Sequence, residues 1–242
     1  MDRGIYPIVS GAIAQERRMD VVAANLAHIQ TVGYKRETAV FRTLLAKPQP
    51  GVPKMKINAD KVFTSGGGTF LDWKGGSFRT TGSPTDVALE GEGFFVVKTP
   101  RGVEYTRSGN FVLNTTRQLV TREGAPVLGQ SGPIQVPVGK LVINAAGDVT
   151  VDGAAVDTLR IVKFKDPASA VRVAGQYTTQ GRVDPSPETK VVQGALEDSN
   201  VNAIGELIAM IEINRSYEAA QKVVQAMDDA ERQAVTEIGR PA

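Results

Sequence analysis

Apolar residues recur every three or four positions at the two ends of the chain and alternate in short runs in the middle, so helical termini flank a β-rich centre. From the N-terminus, Ile5, Ile8, Ala12, Gln15, Met19, Val22, Leu26 and Ile29 form a heptad seam with one polar position, while Arg17, Arg18 and Asp20 fall off it. The spacing predicts a helix over about residues 5 to 30, roughly 40 Å long at about 1.5 Å per residue. Pro7 sits in its first turn, where a missing N–H does little harm, and Gly33 offers a left-handed stop. At the other end Asp198, Ser199 and Asn200 supply N-cap oxygens before a periodic segment that reaches about Ile238. There Met210, Ile213, Tyr217, Ala220, Val224, Met227, Ala234 and Ile238 make one seam, broken at Glu231. Ile204, Leu207, Ile208 and Ile211 widen its apolar face, and two apolar flanks predict more than one neighbouring helix.

Between the helices, residues 36 to 80 carry Pro48, Pro50, Pro53, Gly66-Gly67-Gly68 and Gly75-Gly76 with strand-like pieces such as Lys61 to Thr64, an extended connector with hairpin character. Short β-rich runs follow: Asp86 to Leu89, Gly93 to Lys98, Tyr105 to Leu113, Gln118 to Thr121, Lys140 to Ile143, Asp148 to Val151 and Thr158 to Phe164. Asp152-Gly153 suits a tight hairpin turn, and Pro133 and Pro137 restrict their segment to edges or loops. The expected fold class is α+β, with a central all-β domain of sandwich or barrel type. Its divisions are an N-terminal helix over 1–35, the connector over 36–80, the β domain over 81–195 and a C-terminal helix over 196–242.

Composition removes most catalytic chemistries. The 242 residues include no cysteine and one histidine, His28, which excludes disulfide frameworks, Cys/His zinc sites, thiol nucleophiles and any triad whose base is not His28. His28, near the end of the first helix, is expected to be structural. Lys and Arg number 28 against 26 Asp and Glu, spread without a basic face, so nucleic acid is not an expected partner. Gly66-Gly67-Gly68 lacks a following Lys-Ser or Lys-Thr, and Gly91-Glu92-Gly93 has Val96 where a dinucleotide fingerprint wants glycine. Asp148 and Asp152 lack the other oxygen ligands of a calcium loop. Asp228-Asp229 and Glu90/Glu92 have the spacing of ordinary solvated surface. Trp73, the single tryptophan, reads as a packing anchor. No cofactor, metal or small-molecule substrate is expected, and the chain is not expected to be an enzyme.

Arg3 and the apolar run from Ile5 to Ala14 resemble a leader with a small-residue cleavage site. The run contains Pro7 and Gly11, and its spacing continues past the supposed cut, so no cleaved leader is expected. No stretch approaches the roughly 20 apolar residues of a membrane-spanning helix.

What remains is two helical seams in search of partners. Burying Ile5, Ile8, Val22, Leu26 and Ile29 is worth about 7–15 kcal/mol in total, comparable with a whole domain's stability of about 5–15 kcal/mol. Other copies of the chain can supply that surface. The alternatives are an antiparallel helix pair docked on the central domain, an enzyme or ligand-binding module closed by its helices, or a secreted binding module with helical ends.

Four blocks of residues then carry a resemblance. Ala24-Asn25-Leu26-Ala27 with Thr31-Val32-Gly33-Tyr34-Lys35-Arg36, Gly82 to Leu89 with Gly91 to Val97, Tyr105 to Phe111, and Leu196-Glu197-Asp198-Ser199-Asn200-Val201-Asn202 with Arg215-Ser216-Tyr217-Glu218 lie in order along nearly the whole chain. Together they resemble the axial proteins of the bacterial flagellum. The motif residues are Asn25, Leu26, Gly33, Tyr34, Lys35, Ser199, Asn200 and Val201. The absence of a large β-domain insertion suits a rod subunit over the hook, and Met1-Asp2-Arg3 with Ile5-Tyr6 and the run Pro126 to Pro137 suit the proximal segment over the distal one. The resemblance implies a helical polymer crossing the periplasm as a hollow driveshaft that transmits motor torque. Terminal helices would form a coiled-coil-like inner layer, with the β domain outside. It implies self-association, contact with neighbouring rod proteins, and export through the flagellar type III apparatus with its chaperones or gate. On this reading Ile5, Ile8, Met19, Val22, Leu26, Ile29, Met210, Ile213, Tyr217, Val224 and Met227 form the assembly interface.

Overall fold

The computed structural model describes residues 5–45 and 62–238. Pro48, Pro50, Pro53 and Lys61 of the expected connector lie outside the described residues, as do the side chains of Ile5, Ala234 and Ile238. The fold is an α+β mix. Helix α1 (Ile5–Ala27) comes first, then strands β1 (Glu37–Leu45), β2 (Val62–Leu71), β3 (Phe78–Thr80), β4 (Val87–Glu90), β5 (Phe94–Thr99) and β6 (Gly102–Thr106). There follow β7 (Val112–Leu113), β8 (Leu119–Val120), β9 (Leu141–Ile143), β10 (Asp148–Val151), β11 (Ala154–Thr158) and β12 (Ile161–Phe164). The last elements are β13 (Ala170–Val173), β14 (Gln176–Thr179), β15 (Val183–Pro185), β16 (Lys190–Gln193), β17 (Ala195–Glu197) and helix α2 (Ala203–Ile238).

The chain divides into two compact units, one of residues 1–27, 37–72 and 202–242, the other of residues 28–36 and 73–201. In the first, α1 packs against α2 and against the antiparallel β1–β2 hairpin. The hairpin bulges where Ala39 and Phe41 of β1 face Thr69 and Gly66, leaving two glycines of β2 opposite one residue of β1. Leu71 is buried at its base.

In the second unit, a six-stranded antiparallel sheet runs in the order β13-β14-β6-β5-β12-β15, beside a three-stranded sheet β11-β10-β9 and the pairs β16–β4, β17–β3 and β7–β8. Its main core gathers Val87, Leu89, Phe95, Val97, Phe111, Leu119, Val127, Ile134 and Val149. Trp73 packs edge-on against Phe94 and Tyr177, each 5.2 Å away between ring centroids. Asp152 and Gly153 both take positive φ, +50° and +83°, between β10 and β11, the tight hairpin turn expected there.

Two expectations need correction. The run Tyr105 to Leu113 is two strands, not one: the chain bends at Arg107, and at Gly109 it runs so close to β4 that a Cβ would stand 1.6 Å from the Val87 carbonyl oxygen. The helix expected to reach residue 30 stops at Ala27, where the Asn25 side chain has turned to the start of β1.

Candidate assembly site

In α1, Ile8, Ala12, Gln15, Met19 and Leu26 are half-buried and Val22 is buried. In α2, Met210, Tyr217, Ala220, Val224 and Met227 are half-buried and Ile213 is buried. These are the two heptad seams. The reading from the residues gave them to contacts between copies; within one chain α1 and α2 already lie against each other. Ile29 is half-buried in the turn that follows α1.

The pair is antiparallel, because Asn25 near the end of α1 meets Glu206 in the first turn of α2, Nδ2 to Oε2 at 3.2 Å. Asn25 has no exposed surface and Glu206 is 2% exposed. The same Asn25 amide grips β1 at both backbone atoms of Glu37. Its Oδ1 accepts from the Glu37 N–H at 2.9 Å, and its Nδ2 donates to the Glu37 carbonyl at 2.8 Å.

Seen down its axis, α2 has a second face. Ile204, Leu207, Ile208 and Ile211 are 71%, 47%, 52% and 54% exposed. At 3.6 residues per turn they cluster about half a turn away from Glu206, Met210, Ile213 and Tyr217. They form an apolar stripe on the side turned away from α1. Val9 and Ile13 of α1 are also exposed.

The motif residues of the second unit surround a buried carboxylate. Glu197 Oε1 accepts from Lys35 Nζ at 2.6 Å and from the Gly76 N–H at 3.0 Å, and Oε2 lies 2.9 Å from Arg107 Nε. Lys35 and Glu197 are each 1% exposed. The Arg107–Glu197 contact is an ion pair by distance, although its angle falls short of a hydrogen bond. Arg107 donates instead to the carbonyls of Gly93 and Leu89. Lys35 Nζ also donates to the Lys74 carbonyl. The backbone closes the same junction, since Gly33 donates to the Glu197 carbonyl at 2.7 Å. At Gly33, φ is +68°, and a Cβ would lie 2.4 Å from the Arg107 carbonyl carbon, so only glycine fits.

Tyr34 is stacked on one side by His28, 4.8 Å between centroids, and covered by the Arg172 guanidinium 3.8 Å from its own. The Tyr177 hydroxyl accepts from the Lys35 N–H, and burial pushes its phenol above the usual value against the pull of nearby Arg172. Asn200 spans the junction, accepting from the Arg36 N–H at 2.7 Å and donating to the Lys74 carbonyl at 3.0 Å. Ser199 Oγ accepts from the Val201 N–H, and Val201 is buried.

Thus Gly33, Tyr34, Lys35, Ser199, Asn200 and Val201 come together in one unit, and Asn25 and Leu26 stand in the other with the helix seams. Sequence reasoning missed Glu206 and Arg172, and it held Glu197 and Arg107 only as members of motif blocks, with no role given to either. Glu206 had a signal, since it continues the seam one step before Met210 and a carboxylate there must find a partner. Among the described residues no group of three His, Asp or Glu is placed to hold a metal ion, and no helix is long and apolar enough to cross a membrane.

Known proteins match this chain along its length. Three family descriptions fit it in order: "Flagella basal body rod protein" over residues 5–35, "Flagellar hook protein FlgE/F/G D1 domain" over 88–151, and "Flagellar basal body rod FlgEFG protein C-terminal" over 192–237. The flagellar basal-body rod protein FlgF of Caulobacter vibrioides is 31% identical over 99% of each chain. FlgF of Escherichia coli is 32% identical over 95% of each. The flagellar basal-body rod protein FlgG of Borreliella burgdorferi is 29% identical over 95% of this chain and 96% of its own.

Proposed function

Because the chain belongs to the family of flagellar basal-body rod proteins, we propose that it polymerises through the α1–α2 pair, the apolar stripe of α2 packing against the helices of neighbouring copies. It is a structural subunit of the flagellar rod, located in the basal body, and its family is one of structural proteins. The finer reading is that helix pairs from successive subunits form a coiled-coil-like inner layer around a central channel. The rod so built would cross the periplasm and carry motor torque toward the hook. Neighbouring rod proteins would take the place of identical copies at each end of the segment.

The stripe Ile204, Leu207, Ile208, Ile211 carries this reading. Fully burying an aliphatic side chain is worth about 1.5–3 kcal/mol, and these four are only about half-covered, so a partner that covers the rest gains roughly 3–6 kcal/mol per subunit. The seams Ile8, Met19, Val22, Leu26 and Met210, Ile213, Tyr217, Val224, Met227 then build the element that is presented.

Within the rod we assign the chain to the proximal segment, on Met1-Asp2-Arg3 with Ile5-Tyr6 and the run Pro126 to Pro137, with the distal segment as the alternative. Export through the flagellar type III apparatus belongs to the same reading.

The test is Ile208→Asp with Ile211→Asp. Both side chains are about half exposed, so the monomer's thermal melt should fall by no more than about 1.5–3 kcal/mol, while rods should fail to form in cells carrying the variant. Intact rods and normal motility with this variant would sink the reading. Ile213→Asp, by contrast, should undo the helix pair itself and leave the β-rich unit folded.

A further inference from the structure

Two antiparallel helices joined only by a heptad seam can slide. A slip of seven residues, about 10 Å, returns apolar positions to apolar positions, so the seam by itself leaves the register loosely set. Counting equal steps from Val22 and Met210, down α1 and up α2, brings Met19 level with Ile213, Gln15 with Tyr217, Ala12 with Ala220 and Ile8 with Val224. Slipped by a heptad, Val22 faces Tyr217 and Met19 faces Ala220, and little apolar contact is lost.

The polar pair has no such second position. Asn25 and Glu206 are the buried polar side chains of the two helices among the described residues. In one slipped register Glu206 comes level with Met19, and in the other it passes the end of α1. Either way the Nδ2 to Oε2 bond at 3.2 Å is broken.

Asn25 is also not free to turn. Its Oδ1 holds the Glu37 N–H and its Nδ2 the Glu37 carbonyl, so rotating the amide would set donor against donor. The amide is therefore fixed by the first residue of β1, and its remaining N–H reaches across to Glu206 of α2.

We propose that Asn25 and Glu206 form the register key of the subunit: one buried amide, aligned by the backbone of Glu37, fixes at once the height of α2 along α1 and the point where the β1–β2 arm leaves the helix. Both are positioning residues. Buried polar pairs of this kind specify register at a cost in stability that apolar replacements do not carry. If the stripe of α2 is an assembly surface, the key sets the height at which that stripe is presented; this consequence rests on the assembly reading, whereas the key itself does not.

The chain has no cysteine, so register can be read by disulfide formation in the full-length protein at low concentration. Ala12→Cys with Ala220→Cys reports the register counted from the closed Asn25–Glu206 pair. Ala12→Cys with Ile213→Cys, and Ala12→Cys with Met227→Cys, report the two heptad slips, each about 10 Å out of reach when the key is closed. In the parent only the first pair should cross-link. In an Asn25→Leu/Glu206→Leu background, where two apolar side chains replace the polar pair and helix content is expected to persist, the slipped pairs should cross-link about tenfold faster or more. Glu206→Gln keeps an acceptor facing Asn25 and should behave as the parent. The proposal is overturned if the double-leucine variant cross-links only at 12–220, if Glu206→Gln slips as the leucine variant does, or if the parent itself cross-links at a slipped pair. Assembly is not part of the readout, so failure here and failure of the stripe to bind neighbouring copies are separate results.

Discussion

A buried carboxylate among cations decides the residue-scale behaviour of the β-rich unit. Glu197 receives Lys35, the Gly76 N–H and Arg107, and each of these charged side chains is at most 5% exposed. Such clusters add little over a well-packed apolar substitute, but removing one partner strands the others without water. Glu197→Ala should therefore cost about 3–5 kcal/mol, against about 1 kcal/mol for an average substitution. Trp73 is the only tryptophan and lies in this unit, so its fluorescence during urea unfolding reads the loss directly. A shift below about 1 kcal/mol would mean that water or rearranged side chains already compensate the two cations. Lys35 and Glu197 were both legible in the sequence as members of motif blocks. Their pairing was not, since residues 35 and 197 are joined only by a fold that turns the Gly33 backbone onto Glu197.

Legibility at the level of elements followed length. The two helices were visible because their seams repeat over many turns, and the run Asp148 to Val151 matches a strand end to end. The strands after Phe164 were not foreseen. Each is three or four residues long, and β13 shows the difficulty: Val171 is 58% exposed at a sheet edge, so burial gives it no clean alternation. The start of α2 shows how a near-miss arises. Asp198, Ser199 and Asn200 all have capping side chains, yet the cap is Asn202, whose Oδ1 accepts from the Gly205 N–H at 3.1 Å. Asp198 pairs with Arg79, Ser199 accepts from the Val201 N–H, and Asn200 is taken by Arg36 and Lys74, so the three earlier candidates were already committed to the other unit. Two asparagines two positions apart should consequently report on different units. Asn202→Ala should lower the helix melt by about 0.5–2 kcal/mol in far-ultraviolet circular dichroism and leave the Trp73 transition in place. Asn200→Ala should do the reverse. Equal effects of both on both signals would mean that the units unfold as one.

For the whole molecule, the contrast is in how much each unit buries. Among the described residues of the helical unit, the fully buried apolar side chains are Ala14, Val22, Leu71 and Ile213, whereas the β-rich unit gathers most of the rest around Leu89, Phe95, Phe111 and Val127. Local opening costs least where few apolar contacts are lost, so the helix pair should open far more often than the sheets. This follows from the same arrangement that leaves Ile204, Leu207, Ile208 and Ile211 in water: the pair is stabilised in part by surface that only another molecule can cover. Hydrogen exchange on the dilute full-length chain should then be fast over 5–27 and 203–238 and slow over 87–97 and 119–162. Raising the concentration until the protein self-associates should slow exchange in α2 first at residues 204–211 and leave the sheets unchanged. Helices as protected as the strands in a dilute monomer would show that the α1–α2 pair needs no neighbour for its stability, and the energetic case for assembly through the stripe would fall with it. The opposite result would tie export and assembly to one property, since a helix pair that opens readily is easy to thread through a channel and closes for good only when a neighbouring subunit covers α2.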